Sequence, residues 1–293
     1  MVERKTVRQQ LRLLPVLPSV LLILVFLAAP ILWSFHASFT NAALTGRNAR
    51  NPAWTGVENY VRLLGDAAFP ASVVLTVVFV VASAVVGQNM LGLLIAGLMT
   101  RARKPVAAVV GTAVVAAWVL PEIVAAFAAY AYFSKDGTLN QVLGGAGVAG
   151  ADWLYAYPMV AVVLANIWRG TAFSMLVYRA ALADVPQDIS EAALMDGAAG
   201  WQRLVFITLP LIRSSIATNL MLVTLQTLAV FTLIWVMTAG GPSSASTTLP
   251  VLAYQEAFKF GDIGYGTAIA SVLIVLGLVF GIAYVRLLRG DKR

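Results

Sequence analysis

This sequence predicts an all-α membrane protein with six transmembrane helices, and three observations predict it. Of 293 residues, 60% are hydrophobic and only 11% are charged, where a soluble domain carries about a quarter charged residues. Six stretches reach the ~20 apolar residues that a helix needs to cross the hydrocarbon core, approximately 15–35, 71–99, 105–133, 158–178, 214–239 and 266–288. Lys and Arg fall unevenly on the segments that join them, as they do where a chain has a fixed orientation in a bilayer. The absence of cysteine excludes a disulfide scaffold, thiolate metal sites and Cys nucleophiles.

The elements follow in order. A tail with Arg4, Lys5, Arg8 and Arg12 precedes the apolar run Leu13 to Trp33. That run exceeds the ~7–15 residues of a secretory signal's apolar core, so it reads as an uncleaved first span. His36, the only histidine, falls at its outer end, and Trp33, Trp54, Trp153 and Tyr157 suit an outer aromatic belt. In the loop 36–70, Val57, Tyr60, Val61 and Leu64 recur at helical spacing, which predicts a short helix on the membrane surface, a cover over the outer ends of the spans. Gln88 and Asn89 in the second span are expected to pack helices together. Pro121 predicts a kink in the third span, because it removes a backbone donor from a continuous helix. The stretch 134–156, Gly-rich between Gly144 and Gly150, predicts a flexible turn.

The N-terminal tail, the second–third loop (Arg101, Arg103, Lys104), the fourth–fifth loop (Arg179, Arg203, Arg213) and the C-terminus (Arg286, Arg289, Lys292, Arg293) hold fourteen of the 20 cations. Five lie on the other side, Arg47, Arg50, Arg62, Lys135 and Lys259, and Arg169 lies within the fourth span. Acids outside the spans divide evenly. Both termini are therefore expected to be cytoplasmic, and the net charge of +7 reflects topology, with no nucleic-acid partner expected.

The loop 183–212 reads as a cytoplasmic helix: Asp184 as a cap, Pro186 in the first turn, good helix formers from Ser190 to Met195, and Gly197 as the stop. It would expose acids and small residues, with Ala192 and Ala193 allowing close approach of another surface. An ordinary helical connector would satisfy the same physics.

The spacing Glu191-Ala192-Ala193, three residues, Gly197, nine residues, Ile207, one residue, Leu209-Pro210 resembles the EAA motif of ABC importer permeases. Further along, Thr238-Ala-Gly240-Gly241-Pro242, Thr247-Thr248-Leu249, Tyr254, Ala257-Phe258, Asp262 and Gly264-Tyr265-Gly266 resemble the maltose-type permeases for sugars and glycerol phosphate. Gly137-Thr-Leu-Asn140 and Asp152-Trp153-Leu154 fit that family's outer loop. The likeness runs from about Leu13 to Arg289, without the extra N-terminal spans and large outer domain of some maltose permeases. It implies a single permease domain over 1–293 with the type I ABC importer fold in a bacterial cytoplasmic membrane. It also implies that Glu191, Ala192, Ala193, Asp196 and Gly197 form a coupling helix docking on an ATPase subunit.

Ionisable groups inside spans are costly and face an interior or a cavity. In the fourth span Asn166, Arg169, Gly170 and Phe173 share one helix face by spacing. An amide, a guanidinium, a gap and an aromatic ring together suit a polyol, whose hydroxyls take hydrogen bonds and whose C–H faces pack on rings. The resemblance points to the same face, and aligning on Gly240-Gly241-Pro242 adds Gln226, Thr227 and Val230 of the fifth span. Glu122, beside Pro121, either contacts solute or answers Arg169, and Asn166 and Gln226 could equally be interhelical glue.

No G-x-x-x-x-G-K-[ST] loop occurs, so the chain is not expected to cradle ATP itself. With no H-E-x-x-H, Ser–His pairing or metal cluster, it is not expected to be an enzyme or to hold a cofactor. The resemblance implies ATP and Mg on two partner ATPase subunits, a second homologous permease, an extracytoplasmic solute-binding protein and a sugar-like solute moved by alternating access. The alternatives are a secondary transporter, which would show paired half-chain repeats or acid–base relays, or an importer of glycerol-phosphate-type solutes.

Overall fold

The computed structural model describes residues 16–290, with only the backbone described at Ser190 and 287–290. The basic tail before residue 16 and the final Lys292 and Arg293 lie outside the described residues. Helices occupy all six apolar stretches: α1 (Leu17–Ala37), α2 (Glu58–Gly65), α3 (Ala68–Arg101), α4 (Lys104–Val119), α5 (Glu122–Phe133), α6 (Thr138–Gly145), α7 (Pro158–Ala183), α8 (Gln187–Met195), α9 (Gly200–Leu211), α10 (Arg213–Leu228), α11 (Thr232–Thr238), α12 (Leu249–Tyr254) and α13 (Ile263–Gly290). Four of them, α1, α3, α7 and α13, are each long and apolar enough to cross a membrane, and two bent pairs raise the number to six. The chain forms two compact units, one made of the described residues up to Asp66 with Ala253–Val272, the other running from Ala67 to Leu252 and from Leu273 onward.

In the first unit, the loop after α1 is stitched to the start of α13. Asn59 Nδ2 donates to the carbonyls of Ser38 and Thr40 at 2.9 and 2.8 Å, and Gly264 N–H donates to Ala42 O at 2.8 Å. Arg62 pairs with Asp262 at 2.6 Å and lies 4.0 Å above the Tyr265 ring, whose hydroxyl donates to Asp66 at 2.8 Å. Burial pushes the nearby Glu256 carboxyl above its usual range; Arg62 opposes this, and Asp66 and Asp262 add to it. Val57, just before α2, and Val61 and Leu64 on it are exposed, an apolar face suited to an interface. Tyr60, expected on that face, is half-buried and shares a hydrogen bond with Ser38. His36 and Trp54 are in ring contact at 5.7 Å, and Trp33 and Trp54 are exposed.

The second unit is built on the crossing of α3 and α7. Without a hydrophobic drive between helices in lipid, close approach depends on small residues. A Cβ on Gly92 would come within 2.5 Å of Ser174, and one on Gly170 within 2.3 Å of the Gln88 side chain. The apolar core beside this crossing contains Phe79, Val162, Ala165, Leu233 and Ile234. The middle of α3, Val80–Gln88, is wound as a π-helix.

Three local expectations are corrected. Pro121 does not kink a continuous helix; it ends one. Leu120 and Pro121 are both extended (ψ 136° and 139°), as the steric demand of proline on its predecessor dictates, and Lys104–Val119 is bent by 106° from the segment Glu122–Gly145 that follows. The fifth span is likewise broken, with Ala229–Phe231 between α10 and α11. The Gly-rich turn is pinned by Asn140, which donates to Lys135 O and Ala151 O and accepts from Ala151 N–H and Trp153 Nε1 at 2.7–3.2 Å.

Candidate functional site

The α7 face divides along its length into residues the chain itself consumes and residues it leaves available. Asn166 is 3% exposed. Its Nδ2 donates to Ser83 Oγ at 2.8 Å, and its carbonyl accepts from Gln88 Nε2 at 3.0 Å. Gly170 is filled by that same Gln88. Asn166 and Gly170 thus face α3 and help join the two helices. One to two turns further along, a second amide cluster ties three elements together. Asn89 Oδ1 accepts from Asn219 Nδ2 at 2.7 Å and from the Tyr178 hydroxyl, and Asn219 Nδ2 also reaches Ser174 Oγ at 3.0 Å. Gln88 and Asn89 pack helices, as their sequence positions suggested. Ser83, Tyr178 and Asn219 were not singled out from sequence, because a serine, a tyrosine and one more amide carry no spacing signal until their partners are placed.

Arg169 and Phe173 occupy the other edge of the face. Arg169 is half-buried, with a buried Nε that has no hydrogen-bond partner, and it makes no ion pair with Glu122 among the described residues. Glu122 Oε1 accepts instead from Leu233 N–H at 3.4 Å, in the first turn of α11, where a carboxylate is favoured by the helix dipole. Phe173 lies against Trp118 of α4, ring centroids 6.1 Å apart, a neighbour that sequence had not selected. Of the fifth-span residues, Gln226 is exposed on α10, whereas Thr227 and Val230 are buried. α7 and α4 thus offer a guanidinium and an aromatic pair, and α10 separately offers an exposed amide. Among the described residues no group of His, Cys, Asp or Glu could hold a metal ion.

The cytoplasmic-loop candidates lie on α8 and its end. Pro186, not Asp184, stands immediately before the helix, and no side chain caps it. Asp184 instead follows the last residue of α7. The other end is closed tightly: Gly197 adopts φ +75°, its N–H donates to Leu194 O, and Ala198 N–H donates to Ala193 O, both at 3.0 Å. This pair of bonds satisfies the last carbonyls and requires a left-handed residue, which only glycine adopts without strain. Glu191, Ala192, Asp196 and Gly197 are exposed and Ala193 is buried, so close approach is open at Ala192 alone of the two alanines. Leu194, Met195 and, on α9, Trp201 and Phe206 are exposed as well, Met195 to 89%. α8 and its end therefore present apolar side chains edged by acids.

A family model described as "Binding-protein-dependent transport system inner membrane component" matches residues 88–290. The trehalose/maltose transport system permease protein MalF of Thermococcus litoralis is 34% identical over 276 residues, covering 93% of this chain and 92% of that protein. The sulfoquinovosyl glycerol transport system permease protein SmoG of Agrobacterium fabrum is 31% identical over 287 residues, covering 95% and 91%. The fold is similar to that in the crystal structure of a bacterial ABC transporter involved in the import of the acidic polysaccharide alginate, with a TM-score of 0.80 at 20% identity, covering 100% of this chain and 99% of that one.

Proposed function

This chain belongs to the inner-membrane components of binding-protein-dependent transport systems, the multi-pass permease subunits of ABC importers, and we propose that it carries a sugar or sugar-like solute. The relatives named for trehalose, maltose and sulfoquinovosyl glycerol support that solute class. In this reading both termini are cytoplasmic, and α8 docks on an ATPase subunit through Glu191, Ala192, Asp196, Gly197 and the exposed Met195. Two such ATPase subunits hold ATP and Mg, a second permease completes the path, and a binding protein delivers solute from outside. Closure of the ATPases moves α8, and the spans alternate between outward and inward openings.

The single observation that carries the coupling role is the exposed, tightly terminated α8 with its motif acids facing outward. For the solute path, the free edge of α7 is the stronger candidate. Arg169 donates to hydroxyls and Phe173 with Trp118 offers ring faces to sugar C–H groups. Gln226 adds an amide from α10, while Asn166, Gly170, Thr227 and Val230 shape the wall from behind. Glu122 positions α11 and reaches solute only if that hydrogen bond is released. A panel of neutral sugars, sugar acids and glycerophosphodiesters, each presented with the binding protein to the reconstituted complex, tests the solute class. Sugar-dependent stimulation of ATP hydrolysis is expected, and stimulation by none of the sugar-like members would refute it.

A further inference from the structure

A groove between α4 and α7 is lined by none of the residues named for the solute path. It encloses about 530 Å³, and its walls include Ala107, Ala108, Gly111, Val115, Met175 and Leu176. Its one charged lining residue is Arg179. Arg179 Nη1 lies 3.9 Å from the point where a Cβ on Gly111 would sit, so the guanidinium rests over the groove floor where the missing side chain leaves room. It makes no ion pair with any acid among the described residues. From Ala107 to Val119 the groove follows thirteen residues of α4, ~18 Å at the helical rise. That length is close to one leaflet of a hydrocarbon core ~30 Å thick. Arg101 and Arg103 lie just before the same end of α4, and Lys104 is its first residue.

An apolar trough with an unpaired cation in its loop-side third has the complement of one kind of molecule. A neutral helix would leave Arg179 without a counter-charge, and a zwitterionic lipid brings no net charge to a basic end. We propose that the groove is a binding site for an anionic phospholipid of the cytoplasmic leaflet. One acyl chain lies along Gly111, Val115 and Val119, the phosphate pairs with Arg179 beside Ala108, and Arg103 and Lys104 strengthen the local positive field. The leaflet assignment rests on the orientation proposed above; the groove and its charge do not.

The test uses the assembled complex in nanodiscs of phosphatidylcholine mixed with phosphatidylglycerol, with retained lipid identified by native mass spectrometry. The complex is expected to retain phosphatidylglycerol in preference to phosphatidylcholine. Arg179→Gln should lower that retention roughly fivefold, the worth of one basic residue near a charged surface. Ala108→Leu, which fills the groove, should lower it as well, while Arg179→Lys preserves both retention and assembly. Arg47→Gln, on the opposite side, should leave it unchanged. Equal retention of the two lipids, or retention unaffected by both Arg179→Gln and Ala108→Leu, would overturn the proposal. So would a cross-link from Val115→Cys to the second permease, which would place protein in the groove.

Discussion

The two polar surfaces of this permease, α8 and the intramembrane face of α7, were both marked by sequence, yet the chain treats them differently. On α8 the acids and Gly197 remain exposed, and the backbone satisfies itself through the bonds around Gly197. On α7 half of the marked residues are spent internally: Asn166 on Ser83 and Gln88, Gly170 on the packing of Gln88. Water can satisfy a polar residue on a loop helix, so its pattern is free to report a partner. A polar residue in lipid needs a protein partner at once, and a neighbouring helix supplies one before any solute arrives. Spacing on a spanning helix therefore identifies an interior face without saying which part of it stays open.

The sharpest way to break this comparison lies on α8. Gly197→Asp would force a side chain into φ +75° at a cost of about 1–2 kcal/mol, and Glu191→Lys would reverse charge on the face proposed to dock. Both should abolish ATP-coupled uptake while membrane insertion and permease pairing persist, read by membrane fractionation and co-purification. Normal uptake in both variants would reduce α8 to a connector.

On α7 the two edges should respond in opposite ways. Asn166→Ala removes the donor to Ser83 and should lower the stability of the complex by about 1 kcal/mol, a typical value for an interhelical hydrogen bond in a membrane. Arg169→Gln should leave the melting temperature nearly unchanged and weaken solute-stimulated transport by roughly ten- to a hundredfold, the range for losing a hydrogen bond from a charged donor. Stability loss in Arg169→Gln with full transport in the survivors would exchange the two assignments.

The smallest effect concerns Glu256, whose carboxyl burial holds above its ordinary range. Folding raises this acid, so its contribution is complete below the usual carboxylate value and fades as pH rises through the raised one. Glu256→Gln should thus melt at or slightly above the wild type near pH 8, by less than about 1 kcal/mol, and lose that advantage near pH 5. A clear destabilisation at high pH would instead give the 3.9 Å contact with Arg62 the greater weight.

Much of the architecture could be read in advance because it depends on local runs: six apolar stretches, the stop at Gly197, the outward apolar face of Val57, Val61 and Leu64. What escaped depends on contacts distant in sequence. The break at Pro121 goes with Glu122 reaching Leu233, more than a hundred residues away, and no periodicity in 105–133 announces it. The pinning of the Gly-rich turn needs Asn140 and Trp153 together. Ser83, Tyr178 and Asn219 became visible only when α3, α7 and α10 were side by side. Trp118 joined the solute candidates through one ring contact with Phe173.

The coupling claim can be tested with a single cysteine, since the chain has none of its own. Ala192→Cys places a thiol on the exposed face of α8, and cysteines are introduced in turn around the groove of the ATPase subunit. The account predicts that one pair forms an oxidative cross-link in the assembled complex, that ATP-driven uptake stops when it forms, and that reduction restores it. Absence of any cross-link from Ala192→Cys in a complex that transports normally would contradict the docking of α8 and leave the ATPase engaged elsewhere on the chain.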